Sequence, residues 1–145
     1  MNRSLIHRGP NDEGLYADAK IVLGHRRLSI IDLSEAGHQP MQSADKRYTI
    51  VYNGELYNYR EIKGLIQEKF SYSFETNTDT EVIIAAYQSF GEKCLDYFNG
   101  MFAFAIWDNK DQKLFIARDR LGIKPLYYSI INGLLVFSSE LRALL

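Results

Sequence analysis

Cysteine is almost absent from this chain, with Cys94 the single example in 145 residues. One thiol excludes an internal disulfide framework and any CxxC redox or zinc-binding pair. Histidine is scarce as well, and His7, His25 and His38 stand at no spacing of the HExxH kind, so no metal centre is expected. The apolar runs are short: the longest, such as Met101–Trp107, fall far below the ~20 residues that cross a bilayer. Met1–Pro10 has neither the apolar core nor the cleavage site of a secretory signal. An excess of one charge is also missing. Seventeen basic against eighteen acidic residues give a net charge of -1, which leaves no broad positive field for nucleic acid or anionic lipid. These absences point to a cytoplasmic protein that binds neither nucleic acid nor membrane.

What remains is an ordinary globular composition, 46% hydrophobic and 24% charged, with a 13% aromatic fraction that favours strands and a structured pocket. A chain of this length forms one domain, spanning residues 1–145, and buries roughly 70% of the surface it exposes when unfolded. Met1–Ile6 reads as the tail of a helix that stops at the His7-Arg8-Gly9-Pro10 corner, where Pro10 disfavours helical geometry at Gly9. Strand-like stretches follow at Gly14–Ala17 and Ile21–Ile31, the second interrupted by Gly24-His25-Arg26-Arg27. Leu33–Ala44 reads as a loop, and Tyr48–Tyr52 as a strand ending at Asn53-Gly54.

Two helices are expected next. Asn58 and Glu61 resemble a capping box ahead of Tyr59, Ile62, Leu65, Ile66 and Phe70 at helical spacing. Thr78 and Glu81 repeat the pattern ahead of Val82, Ile83, Ala86, Tyr87 and Phe90. A shorter helical piece, Glu92–Phe98, stops at Asn99-Gly100. Two hairpins complete the pattern: Met101–Trp107 with Lys113–Arg118, and Leu126–Ile131 with Leu134–Ser138 around Asn132-Gly133. Glu140–Leu145 starts a further helix. Consecutive antiparallel strands and a few helices, without repeat or linker, define an α+β domain.

Several runs carry a resemblance. They are His7-Arg8-Gly9-Pro10-Asn11-Asp12-Glu13-Gly14, Gly24-His25-Arg26-Arg27-Leu28-Ser29-Ile30-Ile31-Asp32 and Ala36-Gly37-His38-Gln39-Pro40-Met41. Further along come Tyr52-Asn53-Gly54-Glu55-Leu56-Tyr57-Asn58, Thr78-Asp79-Thr80-Glu81-Val82, Asn99-Gly100-Met101-Phe102-Ala103-Phe104-Ala105 and Ala117-Arg118-Asp119-Arg120-Leu121-Gly122-Ile123-Lys124-Pro125-Leu126-Tyr127-Tyr128. Seven runs in order and at matching spacing make the chain resemble the class II glutamine amidotransferases of the N-terminal-nucleophile hydrolase type. Within these it is most similar to the asparagine synthetases. The resemblance implies a four-layer α/β/β/α sandwich of two antiparallel sheets.

It also implies a chemistry. In this family the cysteine of an N-terminal Met-Cys-Gly segment, exposed by removal of the Met, attacks the side-chain amide of L-glutamine. The resulting oxyanion collapses to a thioester that water cleaves. By resemblance the oxyanion donors are the Asn53 side-chain amide and the Gly54 N–H. The other use of such a dipeptide is a tight turn after a strand. Arg27 would grip the glutamine α-carboxylate bidentately, with Leu28, Ser29, Ile30 and Ile31 lining the same wall. Strand alternation sends Arg26 to the opposite face, where it is expected to be a surface arginine. Asp79 and Glu55 would take the α-ammonium. Asp79 has a competing role at the first turn of a helix, complementing the helix dipole. Cys94, placed among Leu95 and Phe98, is read as a packing group, and His7 and His25 as structural. No cofactor belongs to such a domain; ATP and Mg would serve the family's second, C-terminal synthetase domain, which amidates aspartate.

Against the family pattern, this chain starts at Met1-Asn2-Arg3, so the first strand and its cysteine are expected to be missing and the chain as written to be inactive. A non-catalytic glutamine-binding or protein-interaction module, and an amidotransferase feeding another acceptor, are the alternatives. Upstream DNA separates truncation, marked by an in-frame Met-Cys-Gly, from a stand-alone module, marked by a stop codon. A missing strand would leave unpaired backbone groups, so low stability or self-association is expected. A monodisperse monomer with a high melting temperature would contradict that expectation.

Overall fold

Alternation with period two dominates the central strands, and it sorts their side chains into two cores. A computed structural model describes residues 1–27 and 37–145. Strands β4 (Tyr48–Leu56) and β5 (Gly100–Asp108) pair antiparallel from Tyr48↔Asp108 to Leu56↔Gly100. With β3 (Met41–Gln42) and β6 (Lys113–Arg118) they form a sheet in the order β3-β4-β5-β6. Tyr48, Ile50, Tyr52 and Leu56 of β4, with Phe102, Phe104 and Ile106 of β5, face one side of the sheet. There they meet α1 (Tyr59–Phe70) and α2 (Asp79–Phe90) through Ile62, Ile66, Val82, Ile83 and Ala86. Val51, Ala105 and Trp107 face the other side, as strand geometry requires of alternate residues.

That second face is covered by ribbons rather than helices. β1 (Asp12–Ala17) and β2 (Val22–Arg27) form one antiparallel pair, and Leu23 buries itself on Val51, Ala105 and Trp107. β7 (Tyr127–Ile131) and β8 (Leu134–Ser138) form another, contributing Phe137 to the same core. Outside β2 lies a 3₁₀ turn, Asn2–Leu5, whose Asn2 side chain approaches Gly24. It is joined to a second 3₁₀ turn, Leu141–Ala143, through Arg142 Nη2 donating to the Ser4 carbonyl at 2.7 Å. Helices, sheet, ribbons and helical turns therefore succeed one another in the α+β sandwich order expected. Among the described residues, no helix is long and apolar enough to cross a membrane.

Several local expectations change. The charged Gly24-His25-Arg26-Arg27 does not interrupt its strand; β2 runs through it, because burial of one face and pairing to β1 outweigh the polarity of the other. Asn53-Gly54 does not end β4 but continues it to Leu56, since β5 supplies a nine-residue partner. Asn58 precedes α1 without capping it. Its side chain instead donates to the Tyr97 carbonyl (2.9 Å) and accepts from the Asn99 N–H (3.0 Å), tying α1 to the start of β5. Thr78 does cap α2, accepting from the Glu81 N–H, while Glu81 folds back onto the N–H groups of Glu75 and Thr76. The helical piece expected over Glu92–Phe98 is a 3₁₀ helix over Gly91–Tyr97, the segment after Glu140 is the 3₁₀ turn Leu141–Ala143, and Met41–Gln42 of the expected loop adds a strand to β4.

Two glycines are required by close approach. A Cβ at Gly54 would strike the Met101 carbonyl oxygen and come within 2.8 Å of Phe102 Cα, and one at Gly100 would strike the Glu55 carbonyl oxygen. Gly64, exposed on α1, has open space around it. Gly54→Ala should therefore destabilise the domain by about 1–3 kcal/mol through overpacking. Gly64→Ala should stabilise it by roughly 0.5–1 kcal/mol, because glycine weakens a helix interior. Chemical denaturation of the two variants against the parent checks the opposite signs.

Candidate functional site

Among the described residues, β4 has a strand on one side along its whole length, but on the other only as far as Ile50, where β3 stops pairing with it. Beyond that point its edge amides and carbonyls need other partners. Tyr52 finds two. Its N–H donates to Gln39 Oε1 at 2.6 Å, and its carbonyl accepts from His25 Nε2 at 3.0 Å. Leu56 N–H donates to Asp79 Oδ2 at 3.0 Å, and the same oxygen accepts from the Tyr52 hydroxyl at 2.8 Å.

Gly54 lies between these two capped positions. Its β5 neighbour, Phe102, turns its backbone groups the other way, donating to Asp119 Oδ2 at 3.1 Å and accepting from the Asp119 N–H at 2.7 Å. The pair Gly54↔Phe102 is thus a non-hydrogen-bonded one, and the Gly54 N–H points out of the sheet on the same side as Tyr52 and Leu56. Asn53, one residue earlier, shares the face of Val51 and so looks toward the ribbon layer; no described residue hydrogen-bonds its amide.

The ribbon brings charge to this face. Leu23, His25 and Arg27 share one side of β2. Leu23 seats on Val51 and His25 reaches the Tyr52 carbonyl. The Arg27 guanidinium lies against Gly37, where any side chain would collide with it. Across the ribbon Asp12 pairs with Arg27 in register and bonds His38 Nδ1 at 2.7 Å. That bond to His38, with the charge of Arg27 behind it, holds the Asp12 carboxyl below its usual range. His25 is pushed down to about 4, chiefly by burial, with the nearby Arg27 also opposing its protonation. Burial and the adjacent Asp79 push the Tyr52 phenol upward.

Of the residues singled out in the sequence, Asn53 and Gly54 are consecutive on β4, and Arg27 ends β2 with its guanidinium against Gly37. Asp79 approaches the open edge of β4 from the helical side, 8% exposed, and Oδ1 takes no hydrogen bond from a described residue. Glu55 is exposed on the same face as Asn53. Leu28, Ser29, Ile30 and Ile31 lie outside the described residues. Arg26 departs from expectation: its side chain is only 12% exposed, paired with Glu13 across the ribbon and beneath the Asn2 turn, because the outer face of β2 is itself covered. Cys94 is fully buried among core side chains, and burial pushes its thiol up to about 12, which suits a packing group. Gln39, Tyr52 and Gly37 were not singled out; their motif membership was visible, but nothing local announces that they would meet one strand edge.

The whole chain, residues 1–145, matches the family model described as a glutamine amidotransferase domain. The chain belongs to that family. It is 46% identical over 145 residues to asparagine synthetase [glutamine-hydrolyzing] 1 of Bacillus subtilis, covering all of this chain and 23% of the relative. It is 47% identical to a putative asparagine synthetase [glutamine-hydrolyzing] 2 of Methanocaldococcus jannaschii, covering all of this chain and 31% of that protein. The amidotransferase domain therefore spans less than a third of the length of these relatives. Its fold is shared with the glutamine phosphoribosylpyrophosphate amidotransferase of B. subtilis, with a TM-score of 0.76 at 21% identity over 97% of this chain and 38% of that one.

The neutral His25 in this amidotransferase domain predicts a pH dependence. Its folded value near 4 lies below the ordinary value of 6.5, so the unfolded chain binds the extra proton between them. Stability from this group is complete above pH 6.5 and falls as pH drops toward 4, by about 3 kcal/mol in all. Urea denaturation across that window should show a steeper loss for the parent than for His25→Gln, which has no titrating ring.

Proposed function

We propose that this domain binds L-glutamine and contributes to hydrolysis of its side-chain amide to glutamate and ammonia. The observation that carries the reading is the Gly54 N–H, held outward at the open edge of β4 beside the Asn53 amide. Two donors so placed suit the oxygen that becomes negative when a nucleophile adds to the amide carbon. Removing one such donor usually costs on the order of 10²–10³ in rate.

Arg27 takes the α-carboxylate in a two-point grip. Asp79 and Glu55 take the α-ammonium, Asp79 through Oδ1 because its other oxygen holds Tyr52 and Leu56. Anchoring both ends is physically necessary, since a free amino acid gives up the hydration of two charges on binding. The attacking group that the family resemblance implies, an N-terminal cysteine, is not among these 145 residues, and buried Cys94 does not replace it. The ammonia passes to a synthetase domain that uses ATP and Mg to amidate aspartate in the cytoplasm; the names of the relatives support that acceptor. Without such a partner the exposed side chains of the β7–β8 hairpin, including Ile130 and Leu134 at 70% exposure, favour self-association.

Isothermal calorimetry with L-glutamine tests the binding reading directly. Loss of the charge-assisted grip in Arg27→Ala should weaken affinity by about 10- to 100-fold, corresponding to roughly 1.5–3 kcal/mol. Arg27→Lys should recover part of the charge but not the fork. Equal heats from parent and Arg27→Ala would remove the assignment.

A further inference from the structure

The backbone of Tyr52 is held by two side chains rather than by a neighbouring strand. Gln39, almost fully buried, accepts from its N–H, and His25, reaching down from the ribbon layer, bonds its carbonyl. Neither side chain touches Gly54. Yet the edge group of Gly54 is the next along the same strand, and its direction is set by the twist and position of the Tyr52 peptide. A strand edge without such anchors is free to shift or pair elsewhere.

We propose that His25 and Gln39 are positioning residues, which together clamp Tyr52 and thereby fix where the Asn53-Gly54 pair presents its donors. The bond to a carbonyl defines the imidazole: Nε2 carries the proton, so Nδ1 is a bare acceptor. Among the described residues, buried Nδ1 has no hydrogen-bond partner. A second proton there would be enclosed near Arg27 with no acceptor among them, so the ring works as a neutral donor. Gln39 is the complementary half, an uncharged acceptor whose side chain reaches the strand from the segment after Gly37. The clamp draws on two separate segments, β2 and the stretch after Gly37, and so couples the ribbon layer to the glutamine-facing edge of the sheet. This inference rests on the glutamine-binding reading only for its functional consequence; the clamp itself is a statement about the ligand-free domain.

Conservative and deleting substitutions separate positioning from simple bulk. Gln at position 25 can still donate to the Tyr52 carbonyl, and Glu at position 39 can still accept from its N–H; His25→Ala and Gln39→Leu remove those groups. The Gly54 amide resonance, followed by ¹H–¹⁵N NMR of the full chain, should move in His25→Ala and Gln39→Leu and stay near the parent position in His25→Gln and Gln39→Glu. L-glutamine affinity by calorimetry should fall at least about tenfold in the deleting pair and be largely kept in the conservative pair. An unmoved Gly54 resonance in the deleting variants would overturn the proposal. So would conservative variants that behave like the deleting ones. If His25→Ala does not fold, His25→Asn, too short to span to the carbonyl, takes its place with the same expected shift. A parent chain that binds no L-glutamine would sink the proposed function, while the Gly54 resonance would still decide the clamp.

Discussion

A strand that loses its neighbour halfway along must satisfy its remaining amides and carbonyls some other way, and β4 is such a strand. β3 covers it to Ile50; past that point Gln39, His25 and Asp79 supply side-chain partners to Tyr52 and Leu56. Most of what distinguishes this domain follows from that constraint. The ribbon must lie where His25 can reach the Tyr52 carbonyl, the segment after Gly37 must bring Gln39 to its N–H, and α2 must begin where Asp79 meets Leu56. A buried peptide group left without a partner would cost more than each of these bonds contributes, so the three approaches are fixed together. Gly54 is left facing outward among satisfied neighbours.

The same constraint accounts for the placing of charge. A nearly neutral chain has little long-range field, so its charges matter where they are brought into the interlayer space. Near His25 lie Arg27 and the exposed Asp12–His38 pair, and their mutual influence is local: His38 and Arg27 favour the Asp12 carboxylate, while burial and Arg27 keep His25 neutral. Arg27 needs Gly37 beside it because its guanidinium occupies the volume a side chain would take. Asp79 holds the strand through one carboxylate oxygen, which accepts from both the Tyr52 hydroxyl and the Leu56 N–H. The competing reading of Asp79, as first-turn helix chemistry, is compatible with this because α2 starts at the same residue.

Much of the architecture could be read along the chain. The two hairpins, the apolar faces of α1 and α2 and the Thr78 cap all follow from local periodicity and turn chemistry, which need no distant partner. The misreadings share a cause. Asn53-Gly54 resembles a strand terminus, and it continues the strand only because β5 lies alongside with glycine-compatible spacing. Gly24-His25-Arg26-Arg27 resembles a break, and it holds as strand because one face meets Val51 and the Tyr52 carbonyl while the other is covered by the Asn2 turn. Asn58 resembles a helix cap, but stronger partners at Tyr97 and Asn99 claim its side chain.

The site divides along the same line. That Asn53, Gly54, Arg27 and Asp79 belong to matched motifs was legible, since residue type and order in the chain are enough to mark them. Where the fold puts them was not. Spacing along a chain says nothing of which sheet edge is left open, that the outer face carrying Arg26 is covered, or that Gln39 and His25 would close on a single peptide. Local sequence determined the elements, because hydrogen bonds within helices and hairpins are made between near neighbours. Only the tertiary structure decided the edge of β4, because its partners come from three separate segments that compete with water until the layers pack.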